Sequence, residues 1–128
     1  MDPQLAIEIT HKFIELLDSP NSAPNSSKQP DEFKSWAKNE ILSLIKKDFV
    51  NIDIKAEQKD IRLIFQEVTE FGPLTRYLAD PEVTEIMVNG PFEIFVEKNG
   101  VLEKTSKKFI SERSLLYLIE RILRPLGK

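Results

Sequence analysis

The chain has 128 residues, 41% of them hydrophobic and 30% charged, with a formal net charge of −3, which suits one ordinary domain or two very small ones. It contains no cysteine, so disulfides, thiolate metal sites and cysteine nucleophiles are excluded. No apolar run approaches the roughly 18 residues of a membrane span, and the opening Met1-Asp2-Pro3 lacks the basic and apolar blocks of a signal peptide.

Asp2 is placed to cap a helix with Pro3 at its first position. Leu5, Ile9, Phe13, Leu16 and Leu17 recur at helical spacing, so residues 3–18 are expected to form an amphipathic helix. Residues 19–30, rich in Ser, Pro and Asn, have almost nothing to bury and are expected to form a mobile linker. A second helix is expected from Asp31, burying Phe33, Ala37, Ile41, Leu44 and Ile45 with Trp36 beside them. Lys46 and Lys47 in its last turn suit the negative end of the helix dipole. Residues 49–54 lead to a third helix, with Ile61, Ile64, Phe65, Val68 and Phe71 on one side, stopped by Gly72 and Pro73. A short helix through Leu74, Tyr77 and Leu78 follows.

The hydrophobic period then changes from about 3.6 to 2. Thr84 to Val88 alternates, Asn89-Gly90-Pro91 breaks it, and Phe92 to Lys98 forms a second strand. Asn99-Gly100 is a strong hairpin signal, since both turn positions need positive φ; Val101 to Thr105 is the returning strand. Ser111 is expected to cap a last helix with Leu115, Leu118, Ile119 and Ile122 inside, ending before Pro125 and Gly127. The fold class expected is α+β: N-terminal helices, a small antiparallel sheet and a covering C-terminal helix. The expected segments are 1–30 (helix and linker), 31–72 (helical region) and 73–128 (sheet and last helix). A three-stranded sheet under one helix is thin, so further strands or a partner are expected to cover it.

Reactive chemistry is sparse. The ending Leu126-Gly127-Lys128 is not a phosphate loop of the form G-x-x-x-x-G-K-[ST], because the first glycine of that pattern would fall at Ile122 and no Ser or Thr follows. His11 stands alone among titratable partners and is expected to be a surface or boundary residue. Glu85, Glu93 and Glu97 sit on the hairpin as solvating carboxylates, and Trp36 and Tyr77 as packing residues. No catalytic, cofactor-binding or metal-ligating residue is expected. The charge is uneven, with a balance of −7 over residues 1–96 and +4 over residues 97–128. Arg113, Arg121 and Arg124 on the last helix are therefore either a docking surface for an acidic neighbour or phosphate, or a solvated face.

The tract from Phe71 to Lys128 is the specific part. It contains Gly72-Pro73-Leu74, then the ordered string Asp80-Pro81-Glu82-Val83-Thr84-Glu85-Ile86-Met87-Val88-Asn89-Gly90-Pro91. Ile94-Phe95-Val96-Glu97, Gly100-Val101-Leu102 and Glu120-Arg121-Ile122-Leu123-Arg124-Pro125-Leu126-Gly127 follow. This tract resembles the N-terminal domain of CpaF-like ATPases, the hexameric motors of Tad/Flp pilus assembly and related type II and type IV secretion systems. About 58 residues carry the resemblance, with residues 31–70 matching more loosely. Asp80, Pro81, Asn89, Gly90 and Pro91 are its marker turns, and they are read first as turn chemistry between two strands.

The resemblance implies an incomplete PAS-like domain whose remaining strands, and then a RecA-like core holding ATP and Mg, would lie beyond Lys128. It implies neighbouring subunits of a homohexamer and inner-membrane secretion platform proteins as partners, with neither nucleic acid nor direct membrane insertion. It also implies a cytoplasmic location, peripheral to the inner membrane through those partners. The expected role of this chain is a non-catalytic assembly and docking domain. A stand-alone interaction adaptor with a basic docking helix is the alternative, and a small enzyme a third reading without a convergent set of reactive groups to carry it.

Overall fold

The structure is a computed structural model that describes residues 1–17 and 23–124. Three helices come first: α1 (Pro3–Leu17), α2 (Pro30–Asp48) and α3 (Gln58–Thr69). A 3₁₀ turn, Gly72–Leu74, leads into the four-residue α4 (Thr75–Leu78). The strands β1 (Val83–Val88), β2 (Ile94–Lys98) and β3 (Val101–Lys104) follow, and α5 (Glu112–Leu123) completes the described chain. The protein is a small α+β fold, predominantly helical, with one three-stranded antiparallel sheet in the order β1-β2-β3.

Local signals account for most boundaries. The Asp2 carboxylate accepts from the Gln4 amide at 2.8 Å and so caps α1. Position 18 of the expected first helix and positions 19–22 of the expected linker lie outside the described residues. The remainder includes a turn in which Asn25 Oδ1 accepts from the amides of Ser27 and Lys28, at 2.9 and 3.0 Å. That turn delivers the chain to Pro30, the first residue of α2. The expected helix stop at Pro125 and Gly127 also lies outside the described residues.

The main core joins α1, α2, α3 and α5: Ile9, Phe13, Ile14, Ala37, Ile41, Ile45, Ile61, Ile64, Val68 and Tyr117 form one buried cluster. Trp36 packs on its edge, with its ring 5.8 Å from Phe13 and 6.0 Å from Phe33. A smaller cluster of Ile94, Phe109 and Leu118, flanked by Leu74, Ile86, Val88 and Leu115, seals one face of the sheet. Helix α5 belongs to both clusters. The helical segments expected over 1–72 and the sheet segment expected over 73–128 therefore share this one helix.

Three expectations about inward faces are corrected. Leu16 is exposed on α1, where Thr10 and Ile14 are buried instead. Phe71 is exposed because α3 ends at Thr69 and the chain has already turned. Ile119 and Ile122 are exposed on α5, whose buried positions are Ser114, Tyr117 and Leu118.

The hairpin follows its sequence signal. Asn99 and Gly100 both take positive φ, at 51° and 76°, the backbone of a two-residue turn matched to strand twist. Between β1 and β2, Gly90 takes φ 92° whereas Asn89 does not enter the left-handed region. The Asn89 amide instead donates to Glu93 O at 2.9 Å, and Pro91 O accepts from the Phe109 amide at 2.7 Å. The marker turn is thus fastened to the segment that leads into α5.

Candidate functional site

Among the described residues, side-chain hydrogen bonds cluster at the junction between the end of α3 and the start of α5. A helix leaves its last four carbonyls without intrahelical partners, and α3 ends inside the protein, so those oxygens must be satisfied by other groups. Helix α5 supplies them. Tyr117 donates its hydroxyl to Val68 O at 3.1 Å, and Arg121 donates to Glu67 O at 3.2 Å and to Glu70 O. The guanidinium also lies 4.8 Å from the centre of the Tyr117 ring and places positive charge at the negative end of α3. Its Nε is the only buried side-chain nitrogen or oxygen among the described residues without a hydrogen-bond partner. Burial pushes the Tyr117 hydroxyl up to about 12 and lowers the pKa of Arg121.

Glu67 lies beneath this contact, with only 3% of its surface exposed. Its Oε2 accepts from the Ile110 amide and from the Ser114 hydroxyl, both at 2.6 Å. Burial raises the carboxyl above its ordinary range, while the bonds from Ser114 and Ile110 and the charge of Arg121 oppose that rise. Gly72 passes close by with φ 54°, and a Cβ there would sit 2.7 Å from Glu67 Oε1. Glycine is required on both counts: the left-handed backbone and the approach of a carboxylate that two donors hold in place.

Ser111 caps α5 reciprocally with Ser114. Ser111 Oγ accepts from the Ser114 amide at 3.1 Å, and Ser114 Oγ accepts from the Ser111 amide at 3.0 Å. His11 of α1 approaches the same cap, with its Nε2 2.8 Å from Ser111 Oγ. His11 is thus a boundary residue, half-buried between α1 and α5. Burial and the nearby Arg113 lower its pKa, against the opposing pull of Glu15.

The three arginines named from the sequence separate. Arg121 is turned inward and engaged on the end of α3. Arg113 is partly exposed and lies 3.7 Å from Glu15 of α1. Arg124, at the end of α5, is exposed. What α5 presents outward is mainly apolar: Leu116, Ile119 and Ile122 are 51%, 40% and 46% exposed, with Leu123 beside them.

The marker residues are held by turn bonds. Asp80 Oδ1 accepts from the Glu82 amide at 2.9 Å, and Lys98 lies 3.0 Å from the Asp80 carboxylate. The backbone bond first and the lysine second keep the Asp80 carboxyl below the usual range. Pro81 follows in this turn, and Asn89, Gly90 and Pro91 form the bend beyond β1. Glu85 and Glu97 are cross-strand neighbours on the sheet, and Glu93 lies 3.7 Å from Lys104. Among the described residues, no group of three His, Asp or Glu side chains is arranged to hold a metal ion, and no helix is long and apolar enough to cross a membrane.

Sequence reasoning did not find Glu67, Ser114 or Tyr117. A signal for Glu67 existed: it lies three residues after Ile64 and one before Val68, so it falls on the apolar face of α3. A carboxylate on such a face needs partners. No protein-family model matches the chain, and no curated protein is similar enough to it to count as a relative.

Proposed function

We propose that this chain is the non-catalytic N-terminal assembly and docking module of a secretion or pilus-assembly ATPase of the CpaF-like kind. The observation that carries the reading is the ordered string from Asp80 to Pro91. It is built as two bonded turns around β1, and its last residue is tied to the lead-in of α5. The outward row Leu116, Ile119, Ile122 and Leu123 supports the same reading, because a helix that already covers a sheet on one side presents a second apolar side to be covered. In the proposed assembly, the neighbouring subunits of a homohexamer and the inner-membrane platform proteins are the partners, and the location is cytoplasmic and peripheral to the membrane. ATP and Mg belong to the motor's core. No residue of this chain is assigned to them, and none of its residues forms a phosphate loop.

The adaptor alternative, which relies on a basic docking helix, loses support from Arg121, whose charge is used internally against α3. The reading frame that follows codon 128 tests the leading proposal: it is expected to continue into further strands and a G-x-x-x-x-G-K-[ST] loop, and an immediate stop would overturn it. A second test is nucleotide hydrolysis by the purified chain. No turnover is expected, and clear turnover would refute the non-catalytic assignment.

A further inference from the structure

We propose that His11, Ser111, Ser114 and Glu67 form a proton-sensitive latch that fastens the start of α5 to α1 and α3, and that protonation of His11 opens it. The four side chains make a continuous line across three helices. His11 Nε2 is 2.8 Å from Ser111 Oγ, Ser111 Oγ is 3.4 Å from Ser114 Oγ, and Ser114 Oγ is 2.6 Å from Glu67 Oε2. The latch is made of this chain's own residues and does not depend on the proposed assembly.

A neutral imidazole satisfies the hydrogens along the line. Each serine has one hydroxyl proton. Ser114 gives its proton to the Glu67 carboxylate, the short and charge-assisted bond. Ser111 Oγ already accepts from the Ser114 amide, and its own proton has two acceptors in reach: Ser114 Oγ at 3.4 Å and His11 Nε2 at 2.8 Å. Donation along the shorter contact goes with a neutral imidazole whose proton is on Nδ1. Adding a proton to Nε2 turns that acceptor into a donor, so Ser111 must rotate its hydroxyl toward the long contact. The new charge also stands at the positive end of the α5 dipole, beside Arg113.

The charged surroundings of His11 do not all act the same way. Arg113 of α5 opposes the imidazolium and Glu15 of α1 favours it. Lys12 of α1 is turned toward Asp48 of α2, at 3.5 Å. Glu67 of α3 stands two serines away, at the far end of the line. The fold holds His11 below its ordinary value of 6.5. As pH falls, the unfolded chain therefore takes up the proton first, and stability present above about 6.5 declines through the window below it. Glu67 has the opposite sign. Its raised carboxyl takes up a proton in the fold before the unfolded chain does, so its own titration adds stability as pH falls.

The test is NMR titration of the whole chain between pH 5 and 8, with thermal midpoints at pH 7.5 and 5.5. The expected results are a His11 titration below 6.5, with the Ser111 and Ser114 amide resonances following the same curve. The midpoint should be lower at pH 5.5 than at pH 7.5. The drop should vanish in His11→Gln. A His11 titration at or above 6.5, serine amides indifferent to it, or an unchanged pH dependence in His11→Gln would each overturn the latch. The titration of the unsubstituted chain decides the matter even if a variant fails to fold.

Discussion

The inward side of α5 carries Ser114, Tyr117 and Arg121 among its positions, while the outward side carries Leu116, Ile119, Ile122 and Leu123. Ordinary partition by polarity would orient the helix the other way. The inward side is chosen because α3 ends beneath it with unpaired carbonyls and a buried carboxylate, and only polar side chains satisfy those groups. An outward leucine in water costs a modest amount of unburied area. An orphaned carbonyl or carboxylate inside the protein costs about 1–3 kcal/mol each, more for a charge. The comparison teaches that orphaned polar groups outrank apolar area in setting the rotation of a short helix.

The largest expected effect is on the inward side. Tyr117→Ala removes a buried aromatic ring from the main core, the donor to Val68 O and the face against which Arg121 lies. It should cost about 3–5 kcal/mol in chemical denaturation, in the range of other buried aromatic truncations. A loss under about 1 kcal/mol would mean that the ring does not bridge α5 to the helical core.

Next in size, Glu67→Ala strands the Ile110 amide and the Ser114 hydroxyl while also removing a buried charge. The net loss is expected to be about 1–3 kcal/mol. Amide exchange should speed up first at Ile110 and in the first turn of α5, while α2, which has no bond to Glu67, keeps its protection. Equal acceleration in α2 would show that Glu67 is not a local fastening.

The elements themselves were legible because their signals are local. Asp2-Pro3 starts α1, Ser111 starts α5, and Asn99-Gly100 bends the hairpin, each through chemistry within a few residues. The α+β order followed from those signals and from the change of period. What was hidden depended on distant residues. Arg121 and Arg124, three apart, look equivalent in sequence, and only the position of α3's end separates an inward arginine from an exposed one. Ser111 signals a helix cap, but nothing local announces that His11, a hundred positions earlier, touches the same oxygen.

The other end of α3 is held differently, by charge on its surface. The Met1 ammonium lies 2.8 Å from both Glu57 and Asp60. The hydrogen bonds to Asp60 and Glu57 raise its pKa from 8.0 to about 10. The raised value means that the fold favours the charged amine. Stability from this contact is therefore complete below pH 8 and is lost as pH rises through about 10. Thermal midpoints between pH 8 and 10 should fall for the free chain and stay level for an Nα-acetylated one. Parallel curves would remove any role for the ammonium in holding α1 to α3.

The smallest effect on stability is expected on the outward side of α5. Ile119→Ser exchanges an exposed branched side chain for a small polar one, and no bond of the inward side passes through this position. Its effect on the isolated chain should stay within about 0.5 kcal/mol. The same substitution should weaken association wherever the outward row is covered by a neighbouring subunit, because an exposed apolar position gives little to a lone fold but much to an interface that buries it. A large loss of stability in the isolated chain would place Ile119 inside the fold and erase the distinction between the two sides. Unchanged stability together with unchanged assembly of the proposed motor would leave the row without a partner and redirect the docking surface to the hairpin.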